Sequence, residues 1–257
     1  DTCDIAQVDR KALISMMVGR ELSETYPPRL ADLSTEPALV VNQMRRNGMP
    51  DISFHLNKGE ILGFAGLVGA GRTETLRALF GADGPVQGEV VLEGEKLSIR
   101  EPRDAINAGI GFLPEDRKLQ GLNLIATISK NVSITNLDSI KKGPLLSSEK
   151  ERALAKHFID TLSIKTPTEE KKVRELSGGN QQKVVLAKWL ARNCRVLILD
   201  EPTRGIDVGS KQEIYRLMRD LTEKGISIIM ISSEMPELLG MSDRVLVMHE
   251  NEIKAEL

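Results

Sequence analysis

Short apolar runs that end at glycine or at acidic residues set the pattern of this chain. Ala38–Asn42, Asp51–Leu56, Ile61–Gly66, Glu89–Leu92, Val196–Leu199, Ser227–Ile231 and Arg244–Met248 read as strands. Leu197–Ile198–Leu199 is apolar at every position, which suits a strand buried on both faces. Thr73–Phe80 and Lys211–Glu223 carry helical patterns. Strands alternating with helices through glycine-rich crossings predict a parallel α/β sheet. Thr127–Leu137 and Ser148–Leu162 are helical patterns with no strand between them. They are either two surface helices on the main sheet or a helical subdomain inserted into it. Near the start, Asp9 to Gly19 predicts a short amphipathic helix capped by Asp9, with Leu13, Ile14, Met16 and Met17 as its apolar positions. Glu21 to Pro37 turns polar and proline-bearing, the composition of a linker.

The 257 residues suffice for one large domain with a core, or a domain with an appendage. A net charge of −2 provides no basic field for nucleic acid, so none is expected as a partner. The cysteines, Cys3 and Cys194, are far apart and lack metal-ligand spacing, which favours a reducing compartment. No uncharged apolar run of about 18 residues occurs, and no signal-peptide pattern is present. The start at Asp1 and the stop at Leu257, just after a strand-like segment, are read as those of a piece of a longer polypeptide. His55, His157 and His249 are scattered and read as surface or packing residues, and Trp189 as core. Cys194 between Arg192 and Arg195 is a structural cysteine, the alternative being a thiol of lowered pKa. The mixed-charge run Glu169–Arg174 reads as a solvated loop.

Chemistry concentrates in three places. Gly66–Leu67–Val68–Gly69–Ala70–Gly71–Arg72–Thr73 lies between a strand and a helix and follows the phosphate-binding pattern of glycine, four residues, glycine, a cation and a hydroxyl. Backbone N–H groups around Gly66, Gly69, Ala70 and Gly71 form a nest for phosphate oxygens, with Thr73 and Glu74 opening the helix. Thr73 is placed to hold magnesium. Arg72 stands where lysine is expected; its planar head cannot occupy the space of a compact ammonium. Asp200 and Glu201 end a buried strand and emerge at the carboxyl edge of the sheet, where ligands of such sheets bind. Asp200 suits magnesium, through a water or directly, and Glu201 suits orienting or deprotonating the attacking water. Third, Leu176–Ser177–Gly178–Gly179–Asn180 opens a helix upstream of that strand.

Together these phrases make the chain from about Ala38 to Leu257 similar to an ATP-binding cassette of ABC transporters. More narrowly it resembles the second, C-terminal cassette of bacterial sugar-importer ATPases that fuse two cassettes, the ribose, galactose, xylose and arabinose group. Leu113–Pro114–Glu115–Asp116–Arg117–Lys118 and Ser233–Glu234–Met235–Pro236–Glu237 carry that narrower likeness. The resemblance implies a P-loop NTPase fold: a RecA-like parallel sheet, an antiparallel β subdomain, and an inserted α-helical subdomain at about 125–180. It divides the chain into the tail of a preceding cassette (1–25), a linker (26–37) and the nucleotide-binding domain (38–257). ATP and Mg2+ are the implied cofactors.

In that family two cassettes pack head to tail, and Ser177, Gly178 and Gly179 would cap the γ-phosphate held by the partner. Asp207 matches the loop that crosses to the partner site. The implied partners are the first cassette of the same polypeptide, a transmembrane sugar permease touching about Leu113–Leu137, and indirectly a periplasmic sugar-binding protein. The implied place is the cytoplasmic face of the bacterial inner membrane. Departures are equally specific. The family's glutamine that touches metal and water falls at Glu115, and its histidine falls at Ser233. The adenine-stacking aromatic is missing between Val41 and Ile52, with Arg45 or Arg46 as substitutes. The expectation is an asymmetric motor domain: its own site binds or hydrolyses ATP poorly, while its Leu-Ser-Gly-Gly-Asn phrase completes the partner's site. The alternatives are a non-hydrolysing nucleotide-sensing or structural half, and a soluble non-transport ABC ATPase. Head-to-tail pairing of two copies is expected to be weak.

Overall fold

The computed structural model of the chain describes residues 26–46 and 50–257, so Cys3 and the helix expected at Asp9–Gly19 lie outside the described residues. Runs with no polar face must be covered on both sides, and they meet at the centre of one sheet. β3 (Ile61–Ala65), β9 (Val196–Asp200) and β10 (Ser227–Ile231) are buried along their whole length. With β6 (Ile110–Leu113), β11 (Arg244–His249) and β12 (Glu252–Glu256) they form a six-stranded sheet in the order β12-β11-β3-β10-β9-β6. All neighbours are parallel except β12, which returns antiparallel on β11. The register sets Ile231 beside both Phe64 and Asp200, so the chain leaves β3, β9 and β10 at one shared edge.

A second sheet is antiparallel: β1 (Pro37–Arg45), β2 (Ile52–Asn57), β4 (Gln87–Leu92) and β5 (Glu95–Leu97), in the order β2-β1-β4-β5. Burial alternates along β2, as expected of a sheet with one face on the core. Phe54 of this sheet meets Phe64 of the first edge-on, with ring centroids 5.3 Å apart. The helices are α1 (Arg72–Leu79), α2 (Pro102–Ala108), α3 (Ile128–Ser133), α4 (Ser148–Thr161), α5 (Gly178–Leu190), α6 (Val208–Glu223) and α7 (Met235–Met241). Among the described residues no helix is long and apolar enough to cross a membrane.

Several expected boundaries shift for local reasons. The helix expected to run to Leu137 stops at Ser133. Thr135 and Asn136 turn instead to the end of α5, donating to the carbonyls of Lys188 (2.8 Å) and Ala191 (2.5 Å). A short hairpin, β7 (Lys141–Lys142) with β8 (Leu145–Leu146), then intervenes where no strand was expected. α6 begins at Val208 rather than Lys211 because the Asp207 carboxylate accepts the Ser210 N–H at 2.9 Å, an N-cap. The Glu169–Arg174 run is a loop with Glu170, Lys172 and Arg174 exposed, as expected, but it is anchored. Carbonyls of Glu169 and Lys171 accept the first free N–H groups of α3 from Ser129 and Ile128, and Val173 is fully buried. β5, β6, β12, α2 and α7 were absent from the sequence reading. The 26–36 stretch forms no helix or strand, but Tyr26 packs on Tyr215 (5.3 Å) and Arg29 donates to the Leu239 carbonyl (2.9 Å).

Candidate functional site

After Ala65 the chain turns through glycines and enters α1 with Gly71 as N-cap in the left-handed region, at φ 92°. The turn is braced from below by the tight connection between β11 and β12. Asn251 donates its N–H to the Ala70 carbonyl at 3.0 Å. A Cβ on Gly71 would sit 2.1 Å from Asn251 Oδ1. Gly71→Ala therefore combines a disfavoured φ with a collision, and the loop must move. The expected outcome is loss of saturable ATP binding by calorimetry, with a lowered melting temperature.

Thr73 and Asp200 meet directly: the Thr73 hydroxyl donates to Asp200 Oδ2 at 2.9 Å. Asp200 is 1% exposed, and its Oδ1 has no hydrogen-bond partner. Burial pushes its carboxyl up to about 6, with the Glu201 charge adding to this and the Thr73 bond opposing it. An orphaned, buried carboxylate oxygen beside a hydroxyl is a hard-oxygen donor pair, the chemistry that suits Mg2+ together with substrate phosphates. Glu201 follows at φ 51°. Burial raises its pKa too, and its Oε2 accepts from the Ser233 hydroxyl at 3.1 Å.

The cleft at this edge has a volume of about 540 Å³ and is lined by Gly69–Glu74, Glu115, Asp200, Glu201, Arg204 and Ser233, among others. The Arg72 stem passes over the first glycine of the turn, its Cδ 3.5 Å from where a Cβ on Gly66 would sit, and its Nη1 donates to the Ser232 carbonyl at 3.1 Å. Glu115 is paired with Arg204, so the added carboxylate already has a cation beside it. Ser177, Gly178, Gly179 and Asp207 do not line this cleft. Ser177 caps α5, its hydroxyl accepting from Asn180 Nδ2 at 2.9 Å. Arg45 is taken up by Asp51 (3.5 Å) and Gln87 (3.0 Å), and Arg46 by Asp83 (3.1 Å). Neither arginine lines the cleft.

Sequence reasoning missed four contributors: Arg204, Asn251, Arg117 and Glu237. Glu237 is 1% exposed and sits beneath the cleft. Its carboxylate accepts from Thr203 at 2.6 Å and from Ser232, joining the chain just past Glu201 to the chain just before Ser233. The available signal was an acidic residue three positions after Glu234 on an otherwise apolar short helix. Cys194 is buried and its thiol is pushed up to about 12, against the attraction of Arg192, which overturns the lowered-pKa alternative. Trp189 is core, 5% exposed and edge-on to Phe80. His55, His157 and His249 do not line the cleft.

A family model described as "ABC transporter" matches residues 49–204. The chain is 51% identical over 254 residues to the "Ribose import ATP-binding protein RbsA" of Oceanobacillus iheyensis, covering 98% of this chain and 51% of that protein. The protein of the same name from Bacillus subtilis is 48% identical, over 100% of this chain and 52% of its own length. A "Putative ribose/galactose/methyl galactoside import ATP-binding protein 1" of Agrobacterium fabrum is 46% identical, over 100% and 51%. The chain thus spans about half the length of the curated relatives it matches. Among solved structures, a nucleotide-free ATP-binding cassette from an ABC transporter superposes with TM-score 0.72 at 22% identity, over 86% of this chain and 90% of that one. A dimeric post-hydrolysis cassette bound to ADP and Pi gives 0.70 at 22% identity, over 85% and 97%. The fold is that of ABC ATPase cassettes.

Proposed function

From the premise that the chain belongs to the ABC transporter family, we propose that it is the ATP-binding motor cassette of a monosaccharide importer. It is the second half of a fused pair, with an impaired site of its own and a Ser177–Gly179 helix start lent to its partner. The importer reading is supported by the names of the relatives, all import ATP-binding proteins for ribose or galactose-type sugars. The fused-pair reading is supported by their length, about twice that of this chain. The same reading seats the chain against a permease at the cytoplasmic face of the membrane, with a sugar-binding protein acting from the other side.

The backbone N–H groups of the 66–71 turn receive phosphate oxygens at the positive end of α1. Thr73 Oγ1 and Asp200 Oδ1 would hold Mg2+, which neutralises phosphate charge when bound. Glu201 orients the attacking water and accepts its proton, and its raised pKa makes it the better base. Against this stand two contacts. Arg72 commits its Nη1 to the Ser232 carbonyl, and Ser233 reaches Glu201 rather than across the cleft. A serine hydroxyl is too short to reach a γ-phosphate as an imaidazole would. The Arg72–Ser232 bond is the observation that carries the impaired-site reading, and it also favours the non-hydrolysing half as a second reading.

A calorimetric titration with ATP and magnesium, followed by a turnover assay, separates the two. The expected result is saturable binding with turnover far below that of a consensus cassette. Binding without any turnover identifies the non-hydrolysing half. Turnover at consensus rates refutes the impaired site.

A further inference from the structure

The residues that line the cleft carry five carboxylates, Glu74, Glu115, Asp200, Glu201 and Glu234, against two guanidiniums, Arg72 and Arg204. A cleft of that sign repels a triphosphate unless cations meet it, and magnesium offsets only part of the charge. Arg72 has its Nη1 on the Ser232 carbonyl. Glu234 is paired with Lys211, which does not line the cleft. Burial, with neighbouring carboxylates adding to it, raises both Asp200 and Glu201, so the catalytic edge is short of positive charge.

Arg204 is the remaining cation of the lining, and its main chain and its head are held very differently. Its N–H donates to the Glu201 carbonyl at 3.1 Å, three residues back. Its own carbonyl accepts from Nη1 of the buried Arg117 at 2.7 Å. The main chain is therefore pinned on both sides of the residue. The side chain is 62% exposed, and its ion pair is with Glu115, itself 46% exposed. Ion pairs this open contribute little to stability and exchange readily.

Two features identify what Arg204 exchanges for. A guanidinium presents a planar fork of N–H donors that fits a phosphate as well as a carboxylate, so a phosphate can take the place of Glu115 on the same head. Position then selects which phosphate. The 66–71 turn and Thr73 meet phosphates at the start of α1, whereas Arg204 stands on the β9 side, tied to Glu201. Glu201 faces the water that attacks the terminal phosphorus, so a cation beside it meets the terminal phosphate.

We propose that Arg204 recognises the terminal phosphate in this cleft, leaving Glu115 for it when magnesium–ATP enters. The contact makes the cleft select a nucleoside triphosphate over a diphosphate. It also supplies from the β9 side a charge that Arg72 commits elsewhere. This rests on the reading that the cleft is an ATP site. It concerns binding, so it stands apart from how fast bound ATP is hydrolysed.

The test is calorimetric titration with magnesium–ATP and with magnesium–ADP. It compares wild type, Arg204→Ala, Arg204→Lys, Glu115→Gln, and Arg204→Ala combined with Glu115→Gln. Arg204→Ala is expected to weaken ATP binding about ten- to a hundredfold, the span of one hydrogen bond to a charged group. ADP affinity stays unchanged. Arg204→Lys, a point charge without the fork, falls between, and Glu115→Gln tightens ATP by removing the competing carboxylate. The combined variant keeps the loss relative to Glu115→Gln alone. Should Arg204→Ala melt early, Arg204→Lys decides by the same comparison of ATP with ADP. An ATP loss that vanishes in the Glu115→Gln background overturns the proposal, because Arg204 then only masks that carboxylate. Equal losses for ATP and ADP overturn it too, as does wild-type ATP affinity in Arg204→Ala. A wild-type chain that binds neither nucleotide removes the ATP-site reading, and the proposal with it.

Discussion

Asp200→Asn is expected to make the empty chain more stable at neutral pH while abolishing magnesium-dependent ATP binding. Asp200 is buried at the end of β9 with one oxygen unpartnered, and its carboxyl is pushed from the ordinary 3.8 up to about 6. The folded state thus holds this proton more tightly than the unfolded chain does. Between those two values stability falls as pH rises, because the folded state must then carry a poorly solvated charge. The gap corresponds to about 3 kcal/mol at neutral pH by linkage. Asparagine removes the charge and keeps an oxygen to accept from Thr73, but it buries an amide N–H in place of the orphan oxygen. A net gain of about 1–3 kcal/mol raises the melting temperature of a chain this size by several degrees, at roughly 2–4 °C per kcal/mol. Thermal unfolding at pH 7.5 checks this, and the gap between variant and wild type should narrow toward pH 5.5. The functional loss is larger. Removing the carboxylate proposed to hold magnesium, directly or through a water, is expected to weaken magnesium-dependent binding by at least the ten- to hundredfold that loss of an outer-shell partner costs. A variant that melts below wild type at pH 7.5 would remove Asp200 as a strained, unsatisfied site. Stability given up at a ligand position is a common arrangement, since the ligand returns it on binding.

Much of this was legible in the sequence because the informative features are local. Leu197–Ile198–Leu199 followed by Asp200–Glu201 announces a doubly covered strand with carboxylates at its open end, and the structure has both. The glycine turn before Thr73 is equally local: one loop, one helix start. What escaped was set by distant pairings. Asn251 lies far from Gly71 along the chain yet fixes its surroundings, and nothing in either phrase predicts that contact. Arg117 and Glu237 enter the sequence reading only as members of longer phrases, with no role of their own; only the packing around them makes them buried. Arg204 pairs with Glu115 across two loops, so the repulsion expected from an added carboxylate is met by a cation of the same chain. Strands β6 and β12 were missed for opposite reasons. Ile110–Leu113 is only four residues long behind Gly109, and Glu252–Glu256 is an edge strand with little buried surface. By contrast, Glu101 and Asp104 around Pro102 form a capping box that was there to be read.

The double variant Arg72→Lys with Ser233→His is expected to raise hydrolysis in this cleft by orders of magnitude. The Arg72 guanidinium is tied to the Ser232 carbonyl through its Nη1. A lysine has a compact head on a flexible stem and can fold over the phosphate nest, where the planar guanidinium cannot. Ser233 is exposed at the cleft, so an imidazole there meets no packed neighbour, and replacing the hydroxyl also frees Glu201 Oε2 from its bond. Losing one preorganised donor to a developing anion typically costs about 2.7–4 kcal/mol, or roughly 10²–10³ in rate, and each substitution aims to restore one such contact. The two act on the same phosphate group, so their gains will not multiply. The measurement is γ-phosphate release in a single turnover, at protein concentrations where two copies can lend each other Ser177–Gly179. Arg72→Lys alone should tighten ATP binding, and Ser233→His alone should change turnover more than binding. If the double variant binds ATP well and still hydrolyses it no faster, the impairment does not lie in these two contacts. The Glu115–Arg204 pair then becomes the obstacle, on the reading that Glu115 stands where the resemblance implies a glutamine amide.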